Sequence, residues 1–197
     1  TKFKMKNKFK KLLALLLIVF GSYSFTTVLN EKIDINVDKS NLHWKGFKVT
    51  GSHEGNLRFE SGTLTFTENG KLVDGTFLID MKSMECTDLE GEYKEKLDRH
   101  LKSKDFFGTN EHPSATLQFK EITVSGKNSY RIKGDLTIKG ITNSIEFDFS
   151  IYGKKATATL KIDRTKYDIK YGSSSFFDGL KDKAIYDDFD IKVDLEF

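Results

Sequence analysis

The residues able to do chemistry in this 197-residue chain are few and scattered. Its four histidines, His43, His53, His100 and His112, have neither the mutual spacing nor the cysteines of a zinc set, so no metal site is expected. There is no G-x-S-x-G elbow and no H-E-x-x-H pair. The GSHEG stretch at 51–55 is not a phosphate loop, and Asp187-Asp188 reads as a turn rather than an acid–base pair. The single cysteine, Cys86, cannot close an internal disulfide and reads as a small buried hydrophobe. Neither an enzyme nor a resident cofactor is expected.

What remains is binding chemistry of two kinds. The first is a set of donors suited to a phosphate or quinone oxygen: Arg99 and His100, beside Lys102, at a helix end, and Arg164 in the segment IDRTKYDIKYGS. Each has a plainer reading. Arg99 and Lys102 also fit a solvated helix face, His100 a bond to Asp105, and Arg164 a pair with Asp163 or Asp168. The second kind is apolar. The chain has 17 Phe, and Trp44, Phe47, Phe77, Phe106, Phe107, Phe119, Phe147, Phe149 and Tyr171 are the candidate pocket lining.

The elements that must position these residues are mostly strands. Apolar residues alternate with polar ones from Ile33 onward, through Leu42 and Trp44, Leu57 and Phe59, then Leu64 and Phe66 on the opposite parity. That switch, at Ser61-Gly62, predicts a bulge or sharp bend. Asn69-Gly70 is a hairpin signal, and Phe77, Ile79 and Met81 return. A second parity change falls between Phe119 and Ile122. Alternation continues through Ile132–Ile138, Ile145–Ile151, Ala156–Ile162 and Tyr167–Tyr171. Residues 173–183 read as a loop with a helical turn near Phe176–Leu180, and Phe189–Phe197 is a last strand. About eight strands with one apolar face, joined by short turns, predict an antiparallel meander that curls into a barrel. A two-layer sandwich fits the pattern as well.

One segment differs. Residues 87–107 predict a helix over about 88–102, with Thr87 as N-cap, Glu90 closing a capping box, and Leu89, Tyr93, Leu97 and Leu101 as its apolar stripe. Gly91 weakens its first turn. Such a helix is expected to lie over the curved sheet and help close an apolar interior.

The N-terminus reads as a secretory signal peptide over residues 1–24, with basic residues after Met5, an apolar run from Leu12 to Phe20 and small residues Ser22 and Ser24 before the cut. The run is too short to span a membrane. Those residues hold six lysines; without them the 32 basic residues fall to 26 against 29 acidic ones, a net charge of −3 instead of +3. The charges are interleaved, so nucleic acid is not an expected partner. One domain over 31–197 is expected, with no membrane-spanning segment after cleavage and a periplasmic or secreted location.

Several stretches resemble the YceI family: HLKSKDFF at 100–107, LTIKGITNSIEFD at 136–148, IDRTKYDIKYGS at 162–173, IYDDFDIKVDLEF at 185–197, and WKGFKVTGSHEGNLRFESGTL at 44–64. The resemblance implies an all-β fold, an extended lipocalin-like antiparallel β-barrel with one helix beside it. It also implies an exported protein that holds a polyisoprenoid or another long-chain amphiphile (a prenyl lipid, isoprenoid quinone or fatty-acid derivative) for carriage or storage. A homodimer is a further expectation. Gly108 departs from the family, which often has a polar residue after the Phe pair.

An eight-stranded barrel is wide enough to be filled by side chains or to hold one small ligand. Ala156, Ala158 and Gly134 among large rings fit a tunnel and fit a solid core equally. Burying a methylene is worth about 0.8 kcal/mol, so a chain of about 16 carbons gains roughly 13 kcal/mol gross and one of about 40 roughly 30. Affinities saturate near about −20 kcal/mol, so cavity length, not affinity, must select the ligand. The competing reading is a filled barrel that acts through its surface as a stress-related or structural module.

Overall fold

The alternation places one face of nearly every strand in a common interior, and a computed structural model describing residues 30–197 shows how that face is closed. The strands are β1 (Asn30–Asp34), β2 (Asn41–Lys48), β3 (Gly51–Thr67), β4 (Leu72–Cys86), β5 (Ser114–Gly126), β6 (Ser129–Ile138), β7 (Ile141–Tyr152), β8 (Lys155–Asp163) and β9 (Ile185–Glu196). All pair antiparallel in the order β1-β3-β2-β9-β8-β7-β6-β5-β4, and a β3–β4 ladder closes the ring. Strands β2 to β9 therefore form an eight-stranded barrel, and the sandwich reading is excluded. The short β1 extends the wall: β2 pairs with Gly51–Leu57 of β3, and β1 takes the same strand from Thr63 to Thr67.

Both parity switches are register shifts. The β3–β4 ladder slips between Phe59 and Ser61, and β5–β6 between Phe119 and Glu121. An extra residue in one strand bends it and increases its twist, which lets a 17-residue strand follow the barrel wall. At Gly75 the wall has no room for a side chain, because a Cβ there would lie 2.5 Å from the Phe119 ring. The 139–140 hairpin needs left-handed backbone at both Lys139 (φ 51°) and Gly140 (φ 73°), the geometry of a tight primed turn.

Three ends differ from expectation. The helix α1 spans Gly91–Lys102, and its N-cap is Glu90 without a side-chain cap. Thr87 is engaged elsewhere, its N–H bonding the Glu54 carbonyl at 2.9 Å, so no capping box forms. Gly91, with φ 57°, turns the chain into the helix. Tyr93 is exposed, and the buried side of α1 is Leu97 and Leu101, against β4. The alternation at Tyr167–Tyr171 is not a strand: a 3₁₀ turn at Arg164–Tyr167 buries Tyr167 while Ile169 packs inward. The helical turn expected near Phe176–Leu180 is a 3₁₀ turn at Lys181–Lys183. Gly108 lies in the turn after α1 with φ 55°, a backbone that glycine tolerates best.

The expected signal peptide lies outside the described residues. Among those described, no helix is long and apolar enough to cross a membrane.

Candidate functional site: an apolar cavity open at the helix end

The barrel has two unlike ends. At one lie the β3–β4, β5–β6 and β7–β8 hairpins. There Leu64, Leu72, Ile132 and Ala156 are almost wholly inaccessible, and Phe66 stacks on Phe197 with centroids 5.8 Å apart. At the other lie α1, the β2–β3 hairpin and the start of β9. Here the interior is a cavity of about 200 Å³, walled by residues of all eight barrel strands and by Leu97, Leu101, Phe106 and Phe107.

The wall is a continuous aromatic array. Phe77 packs on Phe59 at 6.0 Å and on Phe119 at 5.6 Å, and Phe119 meets Phe147 and Phe149 at 5.8 and 5.5 Å. These tilted and edge-on contacts are the preferred aromatic geometries. Met81 and Met84 complete the wall beneath α1, adaptable side chains that fill irregular space. Trp44 is fixed by its indole N–H, which donates to the Glu85 carbonyl at 3.2 Å. Of the small residues expected to leave gaps, Ala158 lines the cavity. Ala156 is packed in the solid end, and at Gly134 the space is taken by Leu117, whose Cδ1 would be 3.1 Å from an added Cβ.

Trp44, Phe47, Phe77, Phe106, Phe107, Phe119, Phe147 and Phe149 all line the cavity. Tyr171 does not. It is exposed and stands behind the mouth, its ring 4.5 Å from His100 and 5.4 Å from Phe106.

The three cationic candidates separate. Arg99 faces solvent on α1. His100 is half-buried between Phe106 and Tyr171, with Nε2 3.9 Å from Asp105. Arg164 is buried in the cavity wall with its donors engaged. Its Nε donates to the Tyr186 carbonyl at 3.0 Å, one terminal nitrogen to Ile169 at 2.8 Å, and the other to Ile185 at 3.0 Å. Asp187 is 3.6 Å away, and the guanidinium lies 5.9 Å from the Phe106 ring centre. Burial draws Arg164 below its usual pKa, against the pull of Asp187 and Asp163. Burial pushes Asp187 up, but bonds from Ser173 and Ser175 and the Arg164 charge outweigh it and hold the carboxyl below its usual range.

Sequence reasoning missed the rim. Lys48, His53, Tyr186 and Asp188 border the opening. Tyr186 and Asp188 lie on the outward parity of β9, so alternation hid them. His53 carries a partner that spacing could not show: its Nδ1 is 3.0 Å from Asp88, whose other oxygen accepts from the Cys86 thiol at 2.9 Å. This is the group among the described residues that could hold a metal. The His53–Asp88 and His100–Asp105 pairs are both partly exposed, not a buried convergent acid–base pair.

A closed antiparallel barrel with a hollow, aromatic-walled half and one helix at its mouth is a lipocalin-like barrel. The chain matches the YceI-like domain across residues 33–197 and belongs to that family. It is 38% identical over 88 residues to a UPF0312 protein of Staphylococcus aureus, a match covering 39% of this chain and 48% of that protein. The chain thus spans about half the length of that relative. Against Protein YceI of Shigella flexneri it is 26% identical over 146 residues, 72% of this chain and 73% of that one. Among solved structures, BcnA of Burkholderia cenocepacia superposes with a TM-score of 0.65 at 22% identity, covering 82% of this chain and 98% of BcnA. A polyisoprenoid binding domain from Saccharophagus degradans, implicated in plant cell wall breakdown, gives 0.56 at 14%, covering 85% and 97%. At these identities the structural likeness establishes the fold.

Proposed function

We propose that this protein binds the apolar chain of a polyisoprenoid or similar long-chain amphiphile in its barrel and carries or stores it after export. The observation that carries this reading is the aromatic-walled cavity, open at the helix end of a barrel otherwise packed solid. The name of the Saccharophagus domain supports the choice of ligand class. A cavity of about 150 Å³ lined by Leu, Ile and Phe binds benzene, so about 200 Å³ takes on the order of eight carbons. At about 0.8 kcal/mol each, that segment gains roughly 6 kcal/mol, near the level of a weak binder. A longer chain must therefore part the Phe and Met walls or trail through the mouth. Its polar end would rest at the rim beside Lys48 and Asp188, with His100 behind Phe106. An export signal over residues 1–24 and a periplasmic or secreted location accord with a lipid carrier. Neither the fold nor the family match supports the expected homodimer.

The test is native mass spectrometry and solvent extraction of protein from its own host, followed by loading with a prenyl alcohol and an isoprenoid quinone. Co-purification or one-to-one uptake is expected. Apoprotein alone, with no uptake of either probe, would instead favour the filled-surface module.

A further inference from the structure

Cys86 stands opposite Gly55 in the β3–β4 ladder, and the chain beyond it folds back onto β3. The backbone holds it there: Thr87 N–H bonds the Glu54 carbonyl, and Glu54 N–H donates to Asp88 Oδ1 at 3.2 Å. His53 and Asp88, 35 positions apart, are thereby brought together, with the Asp88 carboxylate between the His53 ring and the Cys86 thiol. One ligand atom from each of the three lies within 4.8 Å of the others.

We propose that His53, Cys86 and Asp88 form a binding site for a zinc-class transition-metal ion, set beside the barrel mouth with one coordination position left to solvent.

Three observations converge on this site. The donor set of thiolate, imidazole and carboxylate is zinc chemistry, and three protein ligands with an open fourth position is a familiar zinc arrangement. Calcium and magnesium take oxygen ligands and do not suit it. The spacing fits as well. Tetrahedral coordination at about 2.3 Å to sulfur and about 2.0–2.2 Å to nitrogen and oxygen sets the ligand atoms roughly 3.3–3.6 Å apart. The thiol–carboxylate and imidazole–carboxylate separations are 2.9 and 3.0 Å, with hydrogen bonds drawing each pair together. The two contacts use different oxygens of Asp88, so holding an ion needs the carboxylate to turn and the three groups, already within 4.8 Å of one another, to shift by a fraction of an ångström to about one ångström. Finally, access is one-sided. Cys86 is fully buried, yet its thiol points at a carboxylate rather than at the apolar core. The His53 and Asp88 side chains are 27% and 29% exposed, so an ion reaches the thiol from their side.

On binding, the Cys86 S–H bond breaks and its proton leaves to solvent, the His53 proton moves through solvent from Nδ1 to Nε2, and sulfur–metal and nitrogen–metal bonds form in their place. A thiolate, a neutral imidazole and a carboxylate then balance the dication. The ion ties the lead into α1 to β3, and His53 also lines the cavity, so ion occupancy stiffens one side of the mouth.

The test uses the full chain, reduced and stripped with chelator, titrated with Co²⁺ as the spectroscopic probe. One equivalent should bind with a sulfur-to-cobalt charge-transfer band and tetrahedral ligand-field bands, and Zn²⁺ should displace it. Cys86→Ser should lose the charge-transfer band. His53→Gln should keep the fold and weaken binding at least tenfold, and it decides the matter even if Cys86→Ser does not fold. Co²⁺ bound without the sulfur band, or bound as tightly by His53→Gln as by the native chain, overturns the assignment.

Discussion

The two ends of the barrel are built from the same alternating strands and reach opposite results. At the hairpin end, Leu64, Leu72, Ile132 and Ala156 leave no space. At the helix end, residues on the same inward parity surround a void. The difference lies in what closes each end. Three hairpins close the first, whereas the second is roofed by α1 and by the segment from Arg164 to Tyr186. That roof rests on a buried cation bonded to three backbone carbonyls, a polar device beside the buried Tyr167 and Ile169. One end is held by dispersion and the other by hydrogen bonds around a hollow, and each should fail in its own way.

The largest effect is expected at Arg164. Arg164→Met leaves the carbonyls of Ile169, Ile185 and Tyr186 without their donor and Asp187 without its countercharge. Breaking a buried charged network of this kind costs about 3–5 kcal/mol, read as a fall in the urea midpoint. Restoring the charge with Lys should recover little, since one ammonium cannot reproduce the planar fork. A loss under about 1 kcal/mol would mean that the roof is held by something else.

Next comes a direct contrast between the ends. Leu64→Ala opens a new cavity in close-packed surroundings and should cost about 3–4 kcal/mol. Leu160 already borders the void, so Leu160→Ala removes fewer contacts and should cost about 2 kcal/mol, the low end for a buried leucine. Equal losses would mean that both ends are equally solid in solution.

Alkaline pH, read as the difference between the native chain and Tyr167→Phe, probes the roof. Tyr167 is buried in the turn that follows Arg164, and burial first, then Asp163, pushes its phenol up to about 12. The raised value means that the folded state holds the proton more tightly than the unfolded chain. The resulting stability is complete below about pH 10 and is lost as pH rises toward about 12, by roughly 2–3 kcal/mol. Urea unfolding across that range should show the decline, and Tyr167→Phe should remove this component. A wild-type profile indistinguishable from that of Tyr167→Phe would mean that Tyr167 ionises freely.

Much of this was legible in the chain. Alternation gave the strands, and the two parity changes at Ser61-Gly62 and near Phe119 gave the bulges, because inward and outward sets exchange whenever one residue is added. The aromatic lining followed from the same parity. The helix start was misread because Thr87-x-x-Glu90 has the local form of a capping box, while the tertiary contact of Thr87 with Glu54 overrides it. Tyr171 was misplaced because Tyr167, Ile169 and Tyr171 keep period two through a 3₁₀ turn, where parity no longer means direction. Arg164 could be seen as a cation but not as a spent one, since its partners are backbone carbonyls that have no sequence signature. The His53–Cys86–Asp88 group depends on register across two strands, which spacing along the chain does not encode.

The smallest effect separates filled from hollow most directly. Ala156 and Ala158 are successive inward residues of β8, facing Leu195 and Val193 of β9, and only Ala158 borders the cavity. Ala156→Leu must force three carbons into packed space and should cost about 1–3 kcal/mol. Ala158→Leu points the same carbons into the void, where their burial offsets the strain, and stability should change by under about 1 kcal/mol. The order reverses for ligand: Ala158→Leu should lose most prenyl-chain uptake while Ala156→Leu keeps it, measured by native mass spectrometry after loading. If both variants bind alike, the chain does not thread between the rings of Phe77, Phe119 and Phe149, and the hollow would owe its size to the roof rather than to its occupant.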